Sequence, residues 1–353
     1  MAWQDIESLL DRFIANGMGS AAAASVWSKS GVSWEYLTGK TRQDHLGVPI
    51  DENAYFDLAS LTKVFATTTL IARYIDQKRL SFEDDVRDVL TDLYWSKKVD
   101  TRVGSLLKHQ SGLQAWIDVS KEPDEEAVLK KIASSDPAYE AFSTVLYSDL
   151  GFILLGVYLA RRFGQTFDAL AEANFANWFN GSSFVFCPKS KGISANATVA
   201  TEDIPGRKGI IQGEVHDSNA YHMGGVAGHA GLFGTLDASM KIAKAWFMTY
   251  TGDSRVISKQ TSRQFLSRYL AKNGRLWGMG WDIATPPKSL AGTKASKLTF
   301  GHVGYTGTSV YLDFERQAIV VLLTNCVHPK DDRTQISKLR PLFHDKVWSE
   351  LDQ

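Results

Sequence analysis

The sequence predicts a mixed α/β (α+β) chain: a mainly antiparallel sheet assembled from both ends, flanked by N- and C-terminal helices, with a mostly helical lobe inserted. Three observations predict it. Apolar residues recur at helical spacing near the start of the chain and again at its end. Strand-like alternation lies just inside both ends, and the stretch between carries helical patterns followed by loops.

Trp3, Ile6, Leu9, Leu10 and Phe13 recur at helical spacing with acidic residues between them, which reads as an amphipathic helix. A signal peptide would need a basic start, an apolar core and a small-residue cleavage site. The expected compartment is the cytoplasm, or the periplasm or exterior if a leader has been removed. SAAAASVWSKSGVSWEYLTGK then alternates around Lys-Ser-Gly and reads as a β-hairpin. A strong helix is expected from about Ser60 to Lys78. From Ser81 to about Gly164 the chain reads as mostly helical, through FEDDVRDVLTDL, VGSLLKHQSG, EEAVLKKIASS and GFILLGVYLARRFG.

Between about Asn180 and Gly231, Gly, Ser, Asn and Pro predominate, which predicts long loops. KLTFGHVG and SVYLDFERQAIVVLLTN are β-rich, the second turning at Phe314 to Gln317. ISKLRPLFHDKVWSEL closes the chain as a helix whose start Pro341 is placed to break. No linker separates two tandem domains. Residues 1–75 and 225–353 are expected to form a sheet lobe and 76–224 a helical, loop-rich lobe, packed as one unit.

Composition excludes several functions. The 39 Lys and Arg balance 39 Asp and Glu, so no global field recruits nucleic acid or an anionic membrane. The longest apolar stretch, Gly151 to Ala160, is too short to span a bilayer. Cys187 and Cys326 sit in apolar surroundings and read as buried free thiols, not as a disulfide or metal framework.

Three short elements carry chemistry. Ser60-Leu61-Thr62-Lys63 opens a long apolar helix, and residues three apart share a helix face, so Lys63 can reach the Ser60 hydroxyl. A serine hydroxyl becomes a useful nucleophile only when a neighbouring base takes its proton. The spacing alone is loose: a second copy, Ser105-Leu106-Leu107-Lys108, runs into a His-Gln-Ser-Gly turn and reads as a surface or capping serine. The second element is Tyr147-Ser148-Asp149, just before a long apolar helix that Ser148 or Asp149 can cap. Taken alone, Tyr147 reads as a packed aromatic. The third is FGHVGYTGTSVYLD, Phe300 to Asp313, where glycines inside a strand pattern mark a bulge or a close approach.

In this order the three elements resemble the signature of serine β-lactamases and penicillin-binding proteins. The chain looks most like the class C branch, with Ser60 and Lys63, Tyr147 and Asp149, and His302-Val303-Gly304 as its elements. FDLASLTKVF, LLKHQSGL, YSDLGFILLG, GGVAGHAGLFGT and GHVGYTGTS carry the likeness along most of the chain. The resemblance implies the β-lactamase/DD-peptidase-like fold with its active site between the lobes. It implies an acyl-enzyme on Ser60, proton transfer shared by Lys63 and Tyr147, and an oxyanion hole from the Ser60 and Tyr305 N–H groups. Asp149, His302, Gly304 and Thr306 become substrate-binding candidates, and no cofactor or metal is implied.

Departures from the family pattern matter as much. Asp149 stands where Asn is usual; an ionised Asp only accepts hydrogen bonds, and pairing with Lys63 is its other use. His302 replaces Lys and Val303 replaces Thr, which weakens carboxylate recognition. Were His302 cationic, acidic substrates would bind better near pH 6 than pH 8. The loop GEVHDSNAYHMGGVAGHAGLF adds His216, Asp217, His222 and His229, whose spacing matches no compact metal motif. His216, Asp217 and His229 are taken as substrate-side candidates. The wording of this loop resembles a branch with D,D-carboxypeptidases and muropeptide amidases.

The expected partner is a small-molecule or peptide substrate: a muropeptide, ester or amide. The leading reading is an amide hydrolase on peptidoglycan-derived peptides. A carboxylesterase on the same machinery, a non-catalytic binding protein and a metallo-hydrolase are the alternatives.

Overall fold

The N-terminal apolar stripe does form a helix, α1 (Ala2–Ala15), which buries Ile6, Leu10 and Phe13. The computed structural model describes residues 2–91, 93–178, 183–207, 209–253, 256–272 and 274–353. The predicted hairpin follows as β1 (Ala21–Ser28) and β2 (Ser33–Gly39), then β3 (Phe56–Asp57) and α2 (Thr69–Asp76). Helices α3 (Val103–Leu107), α4 (Glu125–Ser134), α5 (Asp149–Phe163) and α6 (Phe167–Trp178) make the middle of the chain. After them come β4 (Phe184–Phe186), α7 (Ser218–His222), β5 (Leu232–Gly234), α8 (Leu236–Thr251) and α9 (Lys259–Phe265). Strands β6 (Tyr269–Leu270), β7 (Leu276–Trp277), β8 (Asp282–Ile283), β9 (Thr299–Val303), β10 (Ser309–Asp313) and β11 (Ala318–Thr324) precede α10 (Arg333–Leu351).

Six strands form one antiparallel sheet in the order β2-β1-β11-β10-β9-β8, so both ends of the chain build it. The period of two divides its side chains between two cores. Ala22, Ala24, Val320 and Leu322 face the cluster made with α1 and α10. Ala21, Ala23, Ile319, Val321 and Leu323 face the larger cluster, against which α8 lies. The turn between β10 and β11 falls at residues 314–317, as the pattern predicts.

Three local expectations need correction. FEDDVRDVLTDL is not a helix; it holds a single 3-10 turn, Val86–Asp88. The Asp85 side chain there accepts from the Arg87 N–H and the Thr101 hydroxyl, which draws the backbone into pairing with residues 101 and 102. Asp92, in the same stretch, lies outside the described residues. The helix after Ser60 is not α-helical throughout: residues Lys63–Thr68 are a π-helical turn, and the hydroxyl of Thr69, which follows it, donates to the Val64 carbonyl. Such turns recur at functional sites. Pro341 does not break α10, which runs through it with Leu339, Phe343, Val347 and Trp348 buried.

The predicted loop region after Asn180 is interrupted by β4 and α7, and β4 joins β5 and β3 in a second small sheet; residues 180–182 lie outside the described ones. Cys326 is buried as expected, while Cys187 is only partly buried; both are free. Among the described residues, no helix is long and apolar enough to cross a membrane.

Candidate active site

Ser60 sits at the join between β3 and the π-helical turn. Asp57 ends β3 with a buried carboxylate that accepts from the Ala59 and His216 N–H groups, and burial pushes its carboxyl up. Ala59 then takes a positive φ of 47°, an uncommon conformation for a residue with a side chain. This kink sets Ser60 ahead of the helix in a cleft of about 800 Å³.

One turn later Lys63 points back. Its side chain is fully buried, and Nζ donates to Ser60 Oγ at 3.0 Å and to the His229 carbonyl at 3.1 Å. Asp149, the first residue of α5, closes on the same nitrogen at 2.7 Å. Burial alone would pull the Lys63 pKa down, but the charges of Asp149 and Tyr147 outweigh it and hold the ammonium. The Tyr147 hydroxyl bonds to both Lys63 and Ser60, and burial raises its pKa despite the nearby ammonium. Ser60, Lys63, Tyr147 and Asp149 therefore form one cluster.

Local sequence explains how Tyr147 and Asp149 get there. Ser148 caps α5, accepting from the Gly151 N–H and donating to the Gln114 carbonyl. Its own N–H donates to Nδ1 of His109, a buried residue with φ 54° in the middle of the LLKHQSG segment. The His109 ring lies 4.7 Å from Tyr147 and is held neutral by burial and by the Lys63 charge. Sequence reasoning missed this support, although the His-Gln-Ser-Gly turn was the signal for it.

The third element forms the opposite wall. Gly304 is required because a Cβ there would lie 2.1 Å from Thr308 Oγ1 and 2.6 Å from the Leu58 carbonyl. Tyr305, the next residue, lines the same cleft as Ser60. Among the described residues, neither the Ser60 nor the Tyr305 N–H meets an acceptor. His302 is 2% exposed and lines the cleft, its ring 5.7 Å from Tyr147. Burial and then the Lys63 charge lower its pKa to about 3, so the cationic form that would attract a substrate carboxylate is disfavoured between pH 6 and 8.

The other candidates divide. His216 and Asp217 line the cleft; His216 Nε2 lies 3.0 Å from Glu202 and its ring stacks on Tyr305. His229 does not line it. Its ring is buried behind Lys63 and bonds to Asp217 at 2.9 Å, which, against the effect of burial, keeps the Asp217 carboxyl low. Thr306 is also outside the lining: its hydroxyl is spent on the Asp57 carbonyl, because the strand turn at Gly304 directs it inward. His222 is exposed and edge-on to Tyr221. Among the described residues, no group of three or more His, Cys, Asp or Glu is placed to hold a metal ion. Sequence reading also missed Trp116, Arg275, Trp277, Asp282 and Arg340, which the tertiary fold brings to the cleft from four separate segments.

A two-sided antiparallel sheet packed between helices, with serine, lysine and tyrosine converging beside it, defines the serine β-lactamase and penicillin-binding-protein class. The chain belongs to the beta-lactamase family, whose profile matches residues 10–342. It is 30% identical over 304 residues to a putative D-alanyl-D-alanine carboxypeptidase of Escherichia coli O157:H7, covering 77% of this chain and 69% of that protein. It is also 30% identical over 307 residues to an N-acetylmuramyl-L-alanine amidase of Bacillus subtilis strain 168, covering 77% and 68%. Among solved structures, the fold matches EstCE1, a hydrolase with promiscuous acyltransferase activity, at TM-score 0.78 and 16% identity over 98% of both chains. A class C beta-lactamase matches at TM-score 0.77 and 16% identity, over 100% of this chain and 97% of its own.

Proposed function

We propose that the protein is a serine hydrolase that forms an acyl-enzyme on Ser60 and cleaves amide bonds in peptidoglycan-derived peptides or muropeptides. The observation that carries the reaction class is Lys63 Nζ, buried and held at once by Ser60 Oγ and Asp149. Ser60 Oγ attacks the substrate carbonyl while the deprotonated form of the Lys63–Tyr147 unit accepts its proton. Both groups have raised pKa values, so that form gains population as pH rises, and the two titrate together because each lies in the field of the other. The unit returns the proton to the leaving amine, and the Ser60 and Tyr305 N–H groups take the oxyanion. Water then attacks the acyl carbon and Ser60 regains its proton. The substrate class is supported by the names of the carboxypeptidase and amidase relatives.

A carboxylesterase on the same residues is the second reading, favoured by the neutral His302 in place of a cation. Intact-protein mass after exposure to a fluorophosphonate tests the reaction class. One adduct on the wild type that vanishes in Ser60→Ala supports it; no adduct on the wild type overturns it in favour of a binding protein. Muropeptides and p-nitrophenyl esters then separate the two hydrolases, and turnover of esters alone would sink the amidase reading.

A further inference from the structure

Arg340 is a buried cation without a counter-ion. It sits on α10 only 6% exposed, and its Nε meets no partner among the described residues. The ionisable groups whose fields reach it are Cys326, Tyr311 and Arg333, with no carboxylate among them. Taking a guanidinium out of water is costly unless something answers its charge. Two backbone carbonyls do so: Nη2 donates to the carbonyls of Gly304 and Thr308, the latter at 3.1 Å.

Those carbonyls close the turn after β9. The Gly304 N–H donates to the Thr308 carbonyl at 2.8 Å, and the Gly307 N–H to the Gly304 carbonyl at 3.2 Å. The Thr306 and Thr308 hydroxyls dock the turn on the Asp57 and Leu58 carbonyls, just ahead of Ser60. The Gly304 carbonyl and the Tyr305 N–H belong to one planar trans peptide, so they point in opposite directions. A cation on the carbonyl end fixes that peptide with its N–H turned away from Arg340. It also polarises the group, which makes the N–H a stronger donor. The Tyr305 side chain holds the other flank: its hydroxyl donates to Asp331 at 2.6 Å, and the Arg333 guanidinium lies 3.9 Å from its ring centre. Gly304, Tyr305, Arg340 and Ser60 line the same cleft.

We propose that Arg340 is a positioning residue for acyl transfer, orienting and polarising the Gly304–Tyr305 peptide so that the Tyr305 N–H meets the developing oxyanion as a strengthened, pre-set donor. The inference rests on the Ser60 reading and deepens it by assigning the second oxyanion donor its support. Arg340 acts through the peptide and touches no reacting atom.

The test compares 4-nitrophenyl acetate with its thiono analogue, in which sulfur replaces the carbonyl oxygen and accepts hydrogen bonds poorly. Both lack a carboxylate, so a direct ion pair with Arg340 cannot contribute. Fluorophosphonate labelling of Ser60 is measured in parallel. The wild type is expected to favour the oxygen ester by about tenfold or more in kcat/KM, as a site with pre-set oxyanion donors does. Arg340→Gln keeps a neutral donor and loses the charge. It is expected to lose about tenfold on the oxygen ester and to stay within about threefold on the thiono ester. Arg340→Lys, which keeps the charge, restores part of the preference. A fold merely loosened by the substitution would lose both esters together, and that result overturns the inference. An unchanged preference in Arg340→Gln also overturns it. So does a loss confined to the 4-nitrophenyl monoester of succinic acid, which would mean that Arg340 reads a substrate carboxylate. Should neither variant fold, the wild type still decides: equal rates on the two esters with Ser60 labelled overturn the inference and leave the Ser60 reading standing. Failure of Ser60 to label removes both.

Discussion

The two Ser-x-x-Lys segments are the same to a sequence search and different in every physical respect. Ser60 precedes its helix on a kinked backbone, and Lys63 returns to it across 3.0 Å. Ser105 lies within the short α3, and its hydroxyl donates to the Arg102 carbonyl and to Asp100. Lys108 caps that helix and turns away, its ammonium 5.2 Å from the centre of the Tyr269 ring. Both lysines lose hydration, and their pKa values move in opposite directions. Burial lowers Lys108, whereas at Lys63 the Asp149 and Tyr147 charges overcome burial. The lesson is that i,i+3 spacing offers a contact, while the acid brought by a distant helix decides whether it is made.

Breaking each copy in turn gives the largest expected contrast. Ser60→Ala should remove the fluorophosphonate adduct and lower turnover by about four orders of magnitude, as loss of a catalytic nucleophile does. Ser105→Ala should leave the rate within about twofold, since the Ser105 side chain, buried where the sequence suggested a surface or capping position, bonds only to Asp100 and Arg102 and lies outside the cleft lining. Lys63→Ala is expected to approach the Ser60 loss and Lys108→Ala to leave the rate intact. If Ser60 and Lys63 act as the proposed unit, Ser60→Ala combined with Lys63→Ala falls no further than the worse single variant. Summed losses in the double variant would show two independent contributions.

Asp149→Asn sharpens the same comparison at lower cost. The Asp149 charge favours the Lys63 ammonium, so removing it lowers the pKa of the Lys63–Tyr147 unit. The proton-accepting form then appears at lower pH, and the rising limb of the kcat/KM profile moves to the acid side. A limb that stays in place would mean Asp149 does not set the charge of Lys63.

Thr306→Val is the smallest expected effect. It removes the donor to the buried Asp57 carbonyl and should cost about 1–3 kcal/mol of stability, read as a lower urea midpoint with adduct formation retained. A raised KM at an unchanged midpoint would instead return Thr306 to the substrate side.

Periodicity located α1 and α10, which each bury one stripe, while the β1–β2 and β10–β11 hairpins were legible from short strand-like runs flanking a turn, with β1, β10 and β11 buried on both faces. It failed at FEDDVRDVLTDL, where Asp85 recruits Arg87 and Thr101 and so competes with helix formation. The π-helical turn after Ser60 was equally illegible, since nothing in VFATT distinguishes five-residue from four-residue bonding.

By itself the sequence determined the terminal helices and hairpins, the three chemistry-bearing segments and the family they resemble, but not α8 and α9, which lie between its predicted loops and late strands. What it determined follows from residue types and spacings within about 15 positions, the range over which local periodicity speaks. The sequence context favoured the Ser60 copy and offered a pairing of Asp149 with Lys63; only the tertiary structure put Lys63 Nζ on both Ser60 Oγ and Asp149 and buried His302 enough to keep it neutral. It also put Thr306 and His229 behind the cleft and brought Arg275, Asp282 and Arg340 into it. Burial and charge separation are properties of packed neighbours distant along the chain, and they set protonation states that no local pattern encodes.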